Sequence, residues 1–237
     1  MKKAFLSILC LLNLTPAFAQ RYEFSVHIIS GLFNYHGSGA NSESFIDKAS
    51  NGIGSNYVNN PYGTKPTYSY GVAVQVQCVT PVRLLWGMQA GYENLRSSVD
   101  LYQDNHLPYT FYTVPPTVAG YNILSSDVFN FNPFLGYRIK LKQVSVDAVI
   151  GLDVAVGFST HQKGQTKADD GSTDYVDLSW GKELDPTYRF ELKASYRRYG
   201  ISTGYNYGVF NYNGRSLGAS SQVFSRMMRM GISYKIR

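Results

Sequence analysis

Three residues near the start of the chain have the side chains of a hydrolytic triad. Glu23, Ser25 and His27 are spaced two apart, so an extended backbone places them on one face. A carboxylate, a hydroxyl and an imidazole in contact can transfer an acyl group. That reaction also needs an oxyanion site and a cleft, and the sequence has no G-x-S-x-G motif. We therefore interpret His27 as a hydrogen-bonded structural histidine, and we expect no catalytic residues.

Two other groups have the donor atoms of a metal site. His36, His106 and His161 are the remaining histidines, and three imidazoles can bind zinc. Their wide spacing fixes no approach between them. The acidic stretch 169–177 has carboxylates that suit calcium, but their order does not match an EF-hand loop. We interpret that stretch as a solvated turn, and we expect neither a metal nor a cofactor.

A larger set of charged residues alternates with apolar residues along the chain. The set contains Glu23, Glu93, Asp147, Asp153, Glu191, Arg138, Arg189, Lys193, Arg229 and Lys235. Its five acids and five bases fall on the polar parity of extended segments, where strands that enclose an interior would bring them together. Buried charges must pair or each costs several kcal/mol. The pattern predicts a salt-bridged, plugged interior.

One long connecting segment is rich in aromatic residues. Tyr102, Tyr109, Phe111, Tyr112 and Tyr121 lie among polar neighbours and prolines. Aromatic side chains in polar surroundings are typical of surfaces that bind protein or sugar. Packing of the segment against the rest of the fold is the alternative interpretation. We treat these five residues as a possible external binding surface for a protein or a glycan.

The elements that position these residues are strands. Residues 144–159 alternate between apolar side chains at even positions and small or charged ones at odd positions. A period of two predicts a β-strand, and sixteen residues far exceed the usual five or six. A strand that crosses a bilayer at a tilt, with lipid on one face and a polar lumen on the other, needs this length and pattern.

Seven further segments repeat the pattern. They are 22–33, 67–79, 84–99, 127–141, 188–196, 199–210 and 222–237. Tight turns at 80–83, 140–143 and 197–200 alternate with long connections at about 35–66, 100–126, 160–186 and 211–221. Short periplasmic turns and long external loops are typical of outer-membrane barrels. We predict an all-β fold, an eight-stranded antiparallel up-and-down transmembrane β-barrel with both termini in the periplasm.

The N-terminus predicts export. Lys2 and Lys3 precede an apolar stretch at 4–14, and Ala17-Phe18-Ala19 is an A-x-A cleavage signature. We therefore expect a signal peptide over 1–19 and a barrel domain over 20–237, in the outer membrane of a Gram-negative bacterium. An uncleaved membrane anchor is the alternative. Without the signal peptide only Cys78 remains, so no internal disulfide is expected.

Composition narrows the partners. The net charge is +6 for the full chain, and +4 without Lys2 and Lys3, but no run of basic residues is present. This argues against nucleic acid and favours contact with outer-membrane lipid and lipopolysaccharide. The 20 Tyr and 13 Phe residues suit a membrane interface, where a ring meets apolar surface and a hydroxyl meets water. We expect a monomer.

Two adjacent strands resemble a known family. Residues 129–138 read FNFNPFLGYR, and residues 147–152 read DAVIGL. This resembles the segment "hydrophobic-x-x-P-hydrophobic-hydrophobic-x-Y", followed by a glycine-containing strand, of PorT-like outer-membrane β-barrel proteins of Bacteroidota. The final Arg237 departs from the terminal Phe of proteobacterial barrels. The family shares no catalytic residues, and the resemblance implies a small barrel with, in some members, a link to protein secretion.

These observations lead to one functional prediction with two alternatives. We predict a small non-enzymatic outer-membrane barrel that is structural or binds a partner through its external loops. A narrow channel or a secretion accessory is the first alternative. A barrel enzyme that acts on lipid or peptide is the second.

Overall fold

The computed structural model describes residues 21–48, 55–106, 117–168, 171–181, 184–212 and 221–236. The predicted signal peptide, 1–19, lies outside the described residues. The predicted all-β fold is confirmed. In the described residues, no helix has the length and apolar character to cross a membrane. The strands are β1 (Arg21–His36), β2 (Glu43–Lys48), β3 (Tyr57–Val58), β4 (Lys65–Val79), β5 (Leu84–His106), β6 (Thr117–Leu141), β7 (Val144–Ala168), β8 (Thr173–Trp180), β9 (Leu184–Tyr196), β10 (Tyr199–Gly208) and β11 (Phe224–Lys235).

Eight of these strands pair in a cycle. The order is β1, β4, β5, β6, β7, β9, β10 and β11, and β11 pairs again with β1. All eight pairings are antiparallel, because each strand follows its neighbour through a hairpin or a longer connection. The short turns β4–β5, β6–β7 and β9–β10 lie at one end, the turn end, together with the start of β1 and the end of β11. The opposite end, the loop end, carries the long connections.

Three of the four segments predicted as long external loops contain strands in the described residues. The segment 35–66 contains β2 and β3, 160–186 contains β8, and the described part of 100–126 belongs to β5 and β6. The pairing of β5 with β6 and of β6 with β7 continues past the exposed apolar residues of these strands, because buried and exposed positions still alternate there. The inward positions there hold both apolar residues, such as Leu124, and polar residues, such as Asn122 and Thr160.

The outward face of the cycle is apolar and exposed. Ile28, Val74 and Met230 each expose 60% or more of their surface, although each lies in the middle of a long strand. Exposure of a large continuous apolar surface is unfavourable in water by about 25 cal/mol per Å². The usual arrangement of a soluble protein is therefore inverted, with apolar residues outside and charged residues inside.

The interior changes character along its length. Towards the loop end it is filled by an apolar cluster of Phe33, Tyr35, Ala40, Leu95, Leu124, Val128, Ala155, Val223 and Met227. Tyr35 lies at the centre, and its ring centroid is 5.0 to 5.2 Å from those of Phe33, Tyr62 and Tyr212. Edge-to-face aromatic packing of this kind is favourable. The interior is thus only partly the ionic core that alternation predicts.

Beyond the apolar cluster, β2, β3 and β8 extend the same sheet. β2 pairs in parallel with β5, β3 pairs with β2, and β8 pairs with β7. The end of β2 and the residue before β3 both contact β8. Lys48 Nζ lies 2.6 Å from Asp174 Oδ2, and Asn56 Nδ2 donates to the Tyr175 carbonyl at 3.2 Å. The sheet encloses a core of Ile46, Val58, Val99, Leu101 and Val176. The loop end is therefore a folded structure that extends the cycle.

Candidate functional site

The ten charged residues predicted to share an interior do lie on inward positions. Nine are buried, and the Lys235 side chain is 17% exposed. They form two ionic clusters, one near the turn end and one near the middle of the strands. Arg189 and Lys193 also lie in the interior. All of them lie on strands of the cycle, where the alternation of the strand fixes their inward direction.

Arg138 organises the cluster near the turn end. Its Nη1 and Nη2 atoms donate to the two carboxylate oxygens of Glu23, both at 2.9 Å. Its Nε and Nη2 atoms donate to Asp147 at 2.6 and 2.7 Å. Glu23 Oε2 also accepts from Gln77 Nε2 at 2.8 Å and from Lys235 Nζ at 2.9 Å. One guanidinium is therefore shared by two carboxylates, and Lys235 compensates the second negative charge.

Arg229 organises the second cluster. It forms a bidentate ion pair with Glu93, in which Nη2 lies 2.6 Å from Oε2. Its Nε donates to Asn206 Oδ1 at 2.8 Å, and its Nη2 lies 3.3 Å from Asp153 Oδ2. Asn206 in turn donates to Asp153 at 2.8 Å, and Asn130 donates to Glu93. Bidentate, charge-assisted pairs hold a fixed geometry, so this cluster braces the middle of the fold.

Arg189 and Lys193 connect the clusters through amides. Arg189 Nη1 donates to Gln89 Oε1 at 2.7 Å. Lys193 Nζ donates to Gln75 Oε1 at 2.5 Å and lies 3.4 Å from Glu191 Oε2. Glutamine side chains therefore accept hydrogen bonds from these two cations, and these bonds offset part of the cost of burying them.

Little space remains between these side chains. The cavity beside Glu93, Asp153 and Arg229 measures about 20 Å³. A second cavity, beside Tyr35 and Ala155 in the apolar cluster, measures about 10 Å³. Each volume is close to that needed for one water molecule. The interior geometry is that of a packed core with single-water spaces.

The possible catalytic triad is not assembled. His27 Nε2 lies 2.9 Å from Ser25 Oγ, but the Glu23 carboxylate is held by Arg138 and Lys235. His36 and His161 each contact other residues, and the side chain of His106 lies outside the described residues. The ring of His36 packs against Tyr207 and Phe224, and His161 Nε2 lies 2.9 Å from Ser159 Oγ. No cluster of three metal-ligating residues occurs in the described parts of the chain.

The structure divides the predicted aromatic surface. Tyr102 and Tyr121 are exposed at the loop end, at 45% and 47%. Tyr109, Phe111 and Tyr112 lie outside the described residues. Tyr121 lines an open cleft of about 810 Å³ on the outer face of β4 to β8, which we call the lateral cleft. Its other lining residues are Tyr70, Asn94, Arg96, Ile123, Ser125, Asp127, His161, Lys163, Gly164, Gln165, Tyr175, Val176 and Asp177.

The lateral cleft begins where the apolar belt ends. Tyr92 donates from its hydroxyl to Asp127 Oδ1 at 2.5 Å. Asn94 Nδ2 donates to the same oxygen at 2.8 Å and to Ser125 Oγ at 3.0 Å. Among the described residues, Arg96 and Lys163 have no ion-pair partner. The cleft therefore combines a fixed polar floor with free cations and exposed tyrosines.

Sequence reasoning missed this cleft because it made two strands too short at the loop end. The prediction stopped one strand at residue 99 and began the next at residue 127. The outward positions near and beyond those limits, such as Arg96, Ile123 and Ser125, no longer alternate as apolar against charged. The sequence did contain a signal, because the inward positions Val99 and Leu124 are still apolar and indicate that each strand continues.

Comparisons with known proteins find likenesses at low sequence identity. No protein-family model and no curated protein sequence matches the chain. Among solved structures, Ail, the attachment invasion locus protein of Yersinia pestis, in complex with the heparin analogue sucrose octasulfate, shows 12% identity over 91% of this chain and 99% of its own, with a TM-score of 0.35. Neisserial surface protein A shows 10% identity over 90% and 97%, with a TM-score of 0.38.

Both proteins are small outer-membrane β-barrel proteins. The Pseudomonas putida toluene transporter TodX is a more distant match, with 8% identity over 94% of this chain and 90% of its own and a TM-score of 0.21. These values describe a likeness in fold and assign no ligand or activity to the chain. No likeness specific to PorT-like proteins supports that resemblance, so it stays a prediction.

Proposed function

We propose that the protein is a small, non-enzymatic barrel of the outer membrane, closed by the eight-strand cycle. The observation that carries this proposal is the inverted distribution of side chains, with exposed apolar residues around a core of paired charges. A bilayer removes the apolar belt from water, while closure leaves no strand edge unpaired in lipid. Cleavage of the signal peptide after residue 19 and the resemblance to PorT-like barrels are compatible with it.

We further propose that the loop end binds a ligand, with the lateral cleft as the site. Exposed tyrosines, free cations and oriented amide and carboxylate groups are the side chains that recognise a polar saccharide. The cleft lies just beyond the aromatic residues Tyr92, Phe129 and Phe158 of the belt, whose rings contact one another. In a membrane this places the cleft at the outer surface, beside lipopolysaccharide sugars.

The membrane proposal is tested by extraction and electrophoresis. The protein should stay with outer membranes after a urea wash, enter solution only in detergent, and migrate differently on an SDS gel before and after boiling. Recovery in the soluble periplasmic fraction would contradict the proposal, because the exposed apolar belt would then have to be covered by another protein.

The ligand proposal is tested on the purified barrel. The probe is a purified lipopolysaccharide core oligosaccharide, and the readout is the intrinsic fluorescence or a calorimetric titration. Tyr121→Ala and Tyr175→Ala should each weaken binding by about fivefold or more, since each removes one aromatic contact of about 1 kcal/mol. Tyr102→Ala is the matched control, because Tyr102 is equally exposed and lies outside the cleft. Equal losses in all three variants would contradict a site in the cleft.

A further inference from the structure

Among the described residues, the turn end of the fold carries only one sign of exposed charge. Its exposed charged residues are Arg21, Arg83, Lys140, Lys142, Arg197 and Arg198. The acids near this end of the described chain, Glu23 and Asp147, are buried and engaged by Arg138, and Glu23 also lies 3.6 Å from Arg21 Nε. The loop end carries both signs, as in the ion pair of Lys65 with Asp100. We call the six cations the basic rim.

Backbone strain sets three of these cations apart. Arg83, Lys142 and Arg197 have φ angles of 68°, 51° and 54°, and they are the non-glycine residues with positive φ in the described chain. Each occupies one of the three short turns. Lys142 and Arg197 stand first in two-residue hairpin turns, a position that favours glycine when φ is positive. A side chain there is unfavourable relative to glycine, so each of these turns holds a cation against a local preference.

Aromatic residues fix the depth of the basic rim in the membrane. Tyr22, Trp86, Tyr137, Tyr196, Tyr199 and Tyr234 are exposed on the outward face beside the turns. Arg197 lies over the Tyr196 ring, 5.3 Å from its centroid, and Arg198 Nη1 donates to the Tyr234 hydroxyl at 3.3 Å. Tyrosine and tryptophan rings occupy the headgroup level of a bilayer. The cations on the water side of these rings therefore stand at the depth of lipid phosphates.

We propose that the basic rim binds the phosphate groups of anionic phospholipids in the periplasmic leaflet. This inference rests on the proposed membrane insertion, which supplies the lipid. Cations near an anionic membrane surface are attracted to its lipids, and the attraction falls with ionic strength. The six cations of the basic rim thus attract a ring of anionic phospholipids. The aromatic residues orient the two arginines of the β9–β10 turn toward these lipids.

The test uses the full mature protein reconstituted in phosphatidylcholine vesicles. Spin-labelled phosphatidylglycerol and spin-labelled phosphatidylcholine report the relative association of each lipid with the protein. The test variant combines Arg83→Asn, Lys142→Asn and Arg197→Asn, since asparagine tolerates positive φ and should preserve the turns. The control variant combines Lys65→Asn, Lys167→Asn and Arg226→Asn, which removes the same charge from the loop end.

The wild-type protein should prefer phosphatidylglycerol at low salt, and the test variant should lose that preference by about threefold or more. The control variant should keep it. A preference that survives in the test variant, or that is lost equally in the control variant, would overturn the proposal. So would binding of the rim to purified peptidoglycan sacculi without any lipid preference. Failure of the wild-type protein to insert into pure phosphatidylcholine vesicles would instead contradict the membrane proposal itself.

Discussion

Arg138 and Glu23 form a bidentate ion pair, with both N···O distances at 2.9 Å, although they lie 115 positions apart in the chain. Both side chains are buried, with exposures of 5% and 2%. Arg138 stands on β6 and Glu23 on β1, so their contact crosses the interior of the strand cycle. Asp147, the second carboxylate on Arg138, is its direct neighbour in the β6–β7 pairing. One buried cation therefore joins three strands.

Loss of Arg138 should destabilise the fold strongly. Arg138→Met leaves Glu23 and Asp147 buried, with Lys235 at 2.9 Å and Arg21 at 3.6 Å from Glu23, and breaking such a buried pair costs about 3–5 kcal/mol. The free energy of unfolding in urea, measured in lipid vesicles, checks this. Lys140→Met is the control, since Lys140 lies two positions away in the same strand but is exposed, and a change within about 0.5 kcal/mol is expected. Equal effects would contradict the role given to the ion pair.

Two equally exposed positions should respond differently to a charge. Ile28 is 60% exposed in the middle of β1, and Val82 is 66% exposed in the β4–β5 turn. Ile28→Lys should destabilise the barrel in vesicles by about 2–4 kcal/mol because the ammonium group would face hydrocarbon. Val82→Lys should be nearly neutral because the turn lies in water. The measurement is again urea unfolding in vesicles, and a neutral result at Ile28 would mean that β1 does not face lipid.

Gly71 should not accept a side chain. A Cβ atom there would lie 2.5 Å from Glu93 Cγ and 2.5 Å from the Tyr92 carbonyl oxygen. Gly71→Ala must therefore displace Glu93 from Arg229, at a cost of about 1–3 kcal/mol. Gly181→Ala serves as the comparison, because the nearest atom would be an ordinary 3.6 Å away. Heat-dependent gel mobility gives the ranking, and a Gly71 variant as stable as the Gly181 variant would contradict this packing.

The filled interior should not conduct ions. The two cavities described above are about 20 and 10 Å³, room for about one water molecule each, and paired charges or aromatic rings surround them. We expect no discrete conductance from the purified protein in planar bilayers at neutral pH. A stable single-channel current would favour the narrow-channel alternative and would require the ion pairs of Arg138 or Arg229 to open. Arg229→Ser is the informative variant in that case, since it removes the bidentate contact with Glu93.

Part of the candidate site follows from local pattern. Glu23, Asp153 and Arg229 could be assigned to the interior because a strand alternates faces with a period of two, whatever its neighbours are. The contact of Arg138 with Asp147 also follows from the tight turn between β6 and β7, which sets their register. The lateral cleft did not follow, since Arg96, Tyr121 and Tyr175 come from three strands and share no local pattern.

The sequence by itself determined the all-β fold, the eight long strands and the residues that face inward, because these depend on alternation within each segment. Only the tertiary structure decided that Glu23 meets Arg138 and Glu93 meets Arg229. Those contacts depend on the tilt and stagger of strands around the cycle, which bring distant positions to one level. The same is true of the basic rim, where three separate turns come together at one end and each carries a cation on a strained backbone.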